Sequence, residues 1–271
     1  MGIITISRGS FSGGKAVAEQ LAKQLGQPAL SREEVLSQAA REFGISEEDL
    51  AESLNQPPPF WRQVLGKRLT YVKCVTAVLL DHVRQGGLIY HGHVGHLLLA
   101  GVAHVLRVRV ISGAEQRIRA AMESAGLERA EAIAHIQRVD RERSRWAQVL
   151  YGVNWEDPAQ YDLVLNLERV SVASASETIL RMSELEDFKP SPASRKKLED
   201  LSLSCRVWAA MAKDPNTRDA GLEVTAEDGH VVLKGKVGST KSMEAITQAA
   251  RLVPGVKSLR SEVDMGSDWH W

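Results

Sequence analysis

The feature that most constrains this chain is a glycine-bracketed loop between a β-branched run and an amphipathic stretch. Ile3-Ile4-Thr5-Ile6 is short and apolar, and it ends where Gly9 and then the Gly13-Gly14 pair interrupt the chain. Val17, Ala18, Leu21, Ala22 and Leu25 then repeat at helical spacing up to Gly26. The loop itself, Gly9-Ser10-Phe11-Ser12-Gly13-Gly14-Lys15, fits the first seven positions of G-x-x-x-x-G-K. Glycines let such a loop curl so that backbone N–H groups point inward at an anion. The following helix N-terminus adds partial positive charge, and the lysine reaches the outer phosphates. The plain alternative is a glycine-rich βα turn with a solvated lysine. Ala16 stands where a Ser or Thr would ligate magnesium, which leaves Ser10 or Ser12 as the hydroxyls within the loop.

Further strands are expected at Gly87 to Tyr90, Val105 to Ile111 and Asp162 to Asn166, each separated by helical sequence. The helical stretches run from Arg32 to Phe43, from Trp61 to Arg84 and from about Val172 to Leu185. A short helix is expected to open at Ser46 with Asp49 and to end at Pro57-Pro58-Pro59. This alternation implies an α/β fold, a doubly wound parallel sheet with helices on both faces. Pro190, Pro192 and three consecutive basic residues make 189–196 a linker between a first domain, 1–188, and a second, 197–271. The second reads as a helix, two strands from Gly221 to Ala226 and Val231 to Val237 joined by an Asp228-Gly229 hairpin turn, a helix and a last strand. This is a small α+β domain of order αββαβ.

Lys+Arg and Asp+Glu both number 34, so no overall basic field argues for a nucleic-acid partner. No apolar run is long enough for a membrane span, the start does not read as a secretory signal, and Cys74 and Cys205 are too few for a disulfide framework. These features point to a cytoplasmic protein. Twelve arginines and no lysine separate Lys73 from Lys189, with nine arginines between Arg107 and Arg145. Arginine suits planar, bidentate contact with phosphate, although a solvated helix face paired with Glu128, Glu131 and Glu142 explains the run equally well. His91, His93 and His96 have a spacing that can bind metal. With no cysteine or acidic ligand nearby in sequence, a strand end entering a βα turn is the better account, and no metal ligands are assigned. Trp269-His270-Trp271 ends the chain as a docking or disordered tail.

Ile4-Thr5-Ile6-Ser7-Arg8, the Gly13-Gly14 pair, Ser31-Arg32-Glu33-Glu34, His96-Leu97-Leu98-Leu99, Asp140-x-x-Arg143 and Tyr151-Gly152-Val153-Asn154-Trp155 together resemble the cytidylate kinase-like family, a branch of the P-loop nucleoside monophosphate kinases. The resemblance implies a helical acceptor-binding insert, a mobile lid, and ATP-dependent phosphorylation of a nucleoside monophosphate, CMP first, with Mg2+. It assigns Lys15 and the Gly9–Gly14 backbone to the triphosphate and Arg32 to the acceptor. Arg117, Arg119, Arg138 and Arg143 become the clamp on the transferring group. It also exposes departures: Ala16, Asn166-Leu167 in place of Asn-Thr, and His91-Gly92-His93-Val94, which puts His93 where a phosphate-binding arginine belongs. The alternative is therefore a catalytically degenerate nucleotide-binding regulator.

Leu222-Glu223-Val224, Asp228-Gly229-x-Val231-x-Leu233-x-Gly235-x-Val237 and Val253-Pro254-Gly255-Val256 resemble a BON domain. That resemblance implies binding rather than catalysis. Formal neutrality disfavours membrane attachment and favours a protein partner or self-association through this domain.

Overall fold

The computed structural model describes residues 2–48, 50, 62–214, 217, 220 and 222–266, with 62–69 described by backbone alone. The expectations placed on Asp49, Pro57-Pro58-Pro59, Trp61, Gly221 and Trp269-His270-Trp271 lie outside the described residues. The described residues of Met1–Glu34 and His82–Ser191 form one compact unit. Those of Val35–Leu54, Pro58–Asp81 and Pro192–Trp271 form another.

The first sheet has strands β1 (Ile3–Arg8), β2 (Ala29–Ser31), β3 (Leu88–Gly92), β4 (Val105–Ile111) and β5 (Leu163–Asn166) in the order β2-β3-β1-β4-β5. Every pairing is parallel, with Ser7 opposite Gly92 on one side of β1 and Arg8 opposite Val110 on the other. Strand β2 was not expected from Pro28-Ala29-Leu30, because three residues are too few to show a period. The chain reaches the two neighbours of β1 by crossovers running in opposite directions, so a crevice opens at its carboxyl end.

Helices α1 (Gly14–Leu25), α2 (Arg32–Phe43) and α3 (Arg62–Arg84) precede β3, and the short α4 (Gly95–Leu98) follows it. Between β4 and β5 run α5 (Ala114–Ala125) and α6 (Arg129–Tyr151), and α7 (Val172–Ser183) comes after β5. Ile4 and Ile6 of β1 meet Val17, Ala18 and Leu21 of α1 and Ala175 and Ile179 of α7 in one dry cluster. The alternate residue Thr5 faces the other side, where Gly95 at the start of α4 lies against the Tyr90 ring. Helices thus cover both faces of a parallel sheet.

Helix α8 (Pro192–Ala212) starts earlier than the sequence suggests, so 192–196 are its first turns rather than linker. Proline fits there because the first helical N–H has no intrahelical partner. Strands β6 (Leu222–Glu227) and β7 (His230–Val237) form an antiparallel hairpin through Asp228 (φ 51°) and Gly229 (φ 85°). Two left-handed residues in succession match the twist of the flanking strands. After α9 (Thr240–Arg251), strand β8 (Ser258–Met265) returns parallel to β7. Val207, Trp208 and Met211 of α8 pack with Leu233 and Ile246 in the core of this sheet. Cys74 and Cys205 are free and buried, and burial pushes their thiols up to about 12 and about 11. Among the described residues no helix is long and apolar enough to cross a membrane.

Candidate functional site

The loop after β1 opens into a cleft of about 1210 Å³ lined by Ser10, Ser12, Gly13, Gly14 and Lys15. Gly13 sits at φ 84°, and a Cβ there would lie 2.7 Å from Leu167 Cδ1, so backbone and space both require glycine. A Cβ on Gly14 would lie 2.8 Å from Arg8 Cβ, because the Arg8 side chain crosses the start of α1. Ser12 is buried, and its hydroxyl contacts the Gly9 carbonyl at 3.0 Å and the Val110 carbonyl at 3.1 Å. It ties the loop to β4. Lys15 is exposed, with Nζ 3.8 Å from Glu19.

Arg8, Arg32, Arg138 and Arg143 also line this cleft. Arg143 Nη1 donates to the Arg8 carbonyl at 3.0 Å, which brings α6 onto the end of β1. Burial, and then the charges of Arg32 and Arg8, depress Arg143 to about 10. Arg32 is likewise lowered, chiefly by burial. The Arg8 charge thus adds to the burden on both Arg32 and Arg143, a crowding that an anion would relieve. Arg138 donates to Glu142 at 3.0 Å from the rim. Arg8 carried no role in the sequence reading; an arginine closing the strand that feeds a phosphate loop is the signal that would have found it.

Four expected site residues do not line the cleft, and the first of them, Gly9, lies against the Arg117 guanidinium. Arg119 is exposed on α5 and is not part of the lining, although its neighbours Gln116 and Ala120 are. Arg117 is spent behind the loop, its Nε donating to the Ser10 carbonyl at 2.8 Å and its Nη2 to Asp140 at 2.7 Å. His93 is 4% exposed, with the Trp146 and Trp155 rings centred 5.5 and 5.2 Å away. Burial and the Arg143 and Arg32 charges hold its pKa well below the ordinary value, so it is a neutral imidazole and not a substitute cation. Trp155 in turn stacks under Arg109, 4.7 Å from its ring centre. The Trp155 carbonyl accepts from Arg109 at 3.0 Å and from the Tyr161 hydroxyl at 2.7 Å. This knot ties β4 to the segment before β5.

A glycine-rich strand–loop–helix turn, a parallel β2-β3-β1-β4-β5 sheet and converging arginines thus meet at one cleft. The sequence pattern of the cytidylate kinase-like family matches residues 3–169. The chain belongs to the cytidylate kinase-like family. A cytidylate kinase of Ignicoccus hospitalis is 27% identical over 184 residues, covering 67% of this chain and 99% of that protein. An uncharacterized protein from Eubacterium ventriosum of known crystal structure shares the fold with a TM-score of 0.51. It is 18% identical and covers 68% of this chain and 99% of its own. The BON domain pattern matches residues 200–266, which carry the small second sheet.

The family implies nucleotide and magnesium, so the donor set at the cleft matters. Ala16 offers no oxygen, and the Ser12 hydroxyl is buried against two carbonyls. Among the described residues no group of three or more His, Cys, Asp and Glu could hold a metal ion. Ser10 keeps a hydroxyl at the cleft, but with Ala16 at the usual position and Ser12 committed to carbonyls the loop does not offer the usual side-chain ligand for magnesium.

Proposed function

We propose that this protein binds ATP at the Gly9–Lys15 loop and transfers its γ-phosphoryl group to a nucleoside monophosphate, CMP before other acceptors. The observation that carries this reading is the convergence of Arg8, Arg32 and Arg143 on the cleft beside the loop. Phosphoryl transfer depends mainly on positioning and on neutralising the equatorial oxygens, and planar guanidinium forks supply both. In this scheme the α1 N-terminus and Lys15 hold the donor phosphates. Arg32 and Arg8 hold the acceptor phosphate, and Arg143 with Arg138 covers the transferring group. An acceptor oxygen attacks γ-phosphorus as the bond to the β,γ-bridging oxygen breaks, and ADP leaves. The reaction belongs in the cytoplasm, where both nucleotides are available.

Release of ADP in a coupled assay with CMP, dCMP, UMP or AMP tests the reading, and turnover is expected with CMP foremost. Absence of turnover with every acceptor would sink it. Ala16 and the buried His93 support a second reading, a nucleotide-binding regulator without transferase activity. That reading is favoured if calorimetry detects ATP or CMP while turnover stays at background.

The BON domain is proposed to engage a protein partner or a second copy of this chain rather than a membrane. Light scattering of the full chain across a concentration series tests self-association. Co-sedimentation with anionic vesicles would overturn the preference.

A further inference from the structure

Phe11 sits in the middle of the loop at φ 59°, a conformation that costs an L-residue bearing a side chain. Such strain persists only where surrounding contacts hold it in place. Moving Phe11 back to negative φ rotates the peptide between Ser10 and Phe11, which swings the Ser10 carbonyl to another direction. That carbonyl is the one Arg117 Nε holds at 2.8 Å. Arg117 is itself fixed: Nη2 reaches Asp140 of α6 at 2.7 Å, and the guanidinium lies flat on Gly9, where a Cβ would stand 3.3 Å from Cζ. The Phe11 ring contacts His135 of α6, centroids 5.9 Å apart, and packs on the Ile118–Ile136 cluster of α5 and α6.

We propose that Arg117 is a positioning residue which, braced by Asp140, locks the Ser10–Phe11 peptide so that the Phe11 N–H faces the cleft. The C=O and N–H of a trans peptide point in opposite directions. Ser10 and Phe11 line the cleft and Arg117 does not, so holding the carbonyl from behind turns the N–H forward. Curling a loop so that its N–H groups converge is what makes it an anion nest. The inference rests on the proposed function for the identity of the anion, not for the lock.

The test uses the full chain as Arg117→Ala, Phe11→Gly and the double variant, with inorganic tripolyphosphate and ATP as calorimetric probes. Arg117→Ala is expected to weaken both about tenfold, and the added glycine, which visits positive φ freely, to recover most of the loss. If the double variant binds as weakly as Arg117→Ala or worse, Arg117 acts on the anion directly and the proposal falls. Asp140→Asn gives a milder version, an expected loss of about threefold that Phe11→Gly again relieves. Melting temperatures of the same variants decide the lock without any ligand. Arg117→Ala should cost more in the Phe11→Gly background, where no relief of strain offsets the lost contact, and equal losses in both backgrounds would overturn it. Should the unaltered protein bind neither probe at millimolar concentration, the proposed function fails while the melting comparison still decides the lock.

Discussion

His93 Nε2 donates to the main-chain carbonyl of Arg143 across 3.1 Å, joining the end of β3 to the middle of α6. A carbonyl only accepts, so this bond places the proton on Nε2, while Nδ1 is buried without a partner. Arg143 is thereby held twice, by His93 through its backbone and through its guanidinium on the Arg8 carbonyl.

This arrangement reverses a simple expectation about His93→Arg. From sequence, arginine at this position restores a phosphate ligand and raises activity. In the structure it buries a charge between two indoles, within range of the Arg143 and Arg32 guanidiniums. Burying an unpaired charge costs about 3–5 kcal/mol. The variant should melt roughly 10 °C lower with no gain in turnover. A melting temperature within about 2 °C of the unaltered protein would show that the arginine escapes to the cleft.

The depressed histidines make stability pH-dependent in a defined window. Burial holds His91, His93 and His96 below the ordinary value, with His96 at about 4. In the unfolded chain they titrate near about 6.5, so between there and the folded values the unfolded state binds more protons. Stability from these groups is therefore complete above about pH 6.5 and is lost as the pH falls, by roughly 3 kcal/mol for His96 alone. His96→Phe keeps a ring against Tyr161, loses no hydrogen bond and cannot titrate. It should gain on the unaltered protein between pH 6.5 and 4.5, above the range where carboxylates contribute. Parallel melting curves across that window would refute the assignment.

The strand, loop and α1 were legible because their signals are local: a β-branched run, glycines and a helical apolar stripe within about one turn of each other. The hairpin at Asp228-Gly229 was legible for the same reason. What was not legible depends on partners far along the chain. Arg117 and Arg143 look alike in a helical arginine run, yet one meets Ser10 and Asp140 behind the loop and the other lines the cleft. His93 reads as polar and exposed until Trp146 and Trp155, more than fifty residues on, close over it. Proximity of that kind is set by packing, which no local pattern encodes.

Lys15→Ala separates binding from stability. The side chain is largely exposed and its contact with Glu19 is a loose surface pair, so its removal should leave the melting temperature unchanged. A charge-assisted contact to phosphate is worth about 1.5–3 kcal/mol. ATP affinity by calorimetry should therefore fall about tenfold or more. Unchanged affinity would place the triphosphate elsewhere.

Ser12→Ala and Ala16→Ser are expected to differ in their response to magnesium. Ser12 is 2% exposed and its hydroxyl is committed to the Gly9 and Val110 carbonyls, so Ser12→Ala should act as a packing defect. Loss of that bond costs about 1–2 kcal/mol of stability. Affinity for ATP should keep the same ratio with and without the metal. Ala16 is exposed at the first turn of α1 and lines the cleft, so a serine there meets no steric barrier and puts a hydroxyl at the position after Lys15. Ala16→Ser should strengthen binding of ATP with magnesium several-fold while leaving binding in chelator unchanged. Calorimetry of both variants, each with magnesium and with chelator, provides the comparison. A magnesium-dependent loss confined to Ser12→Ala would reassign the metal-facing hydroxyl to Ser12 and overturn the reading of its buried bonds.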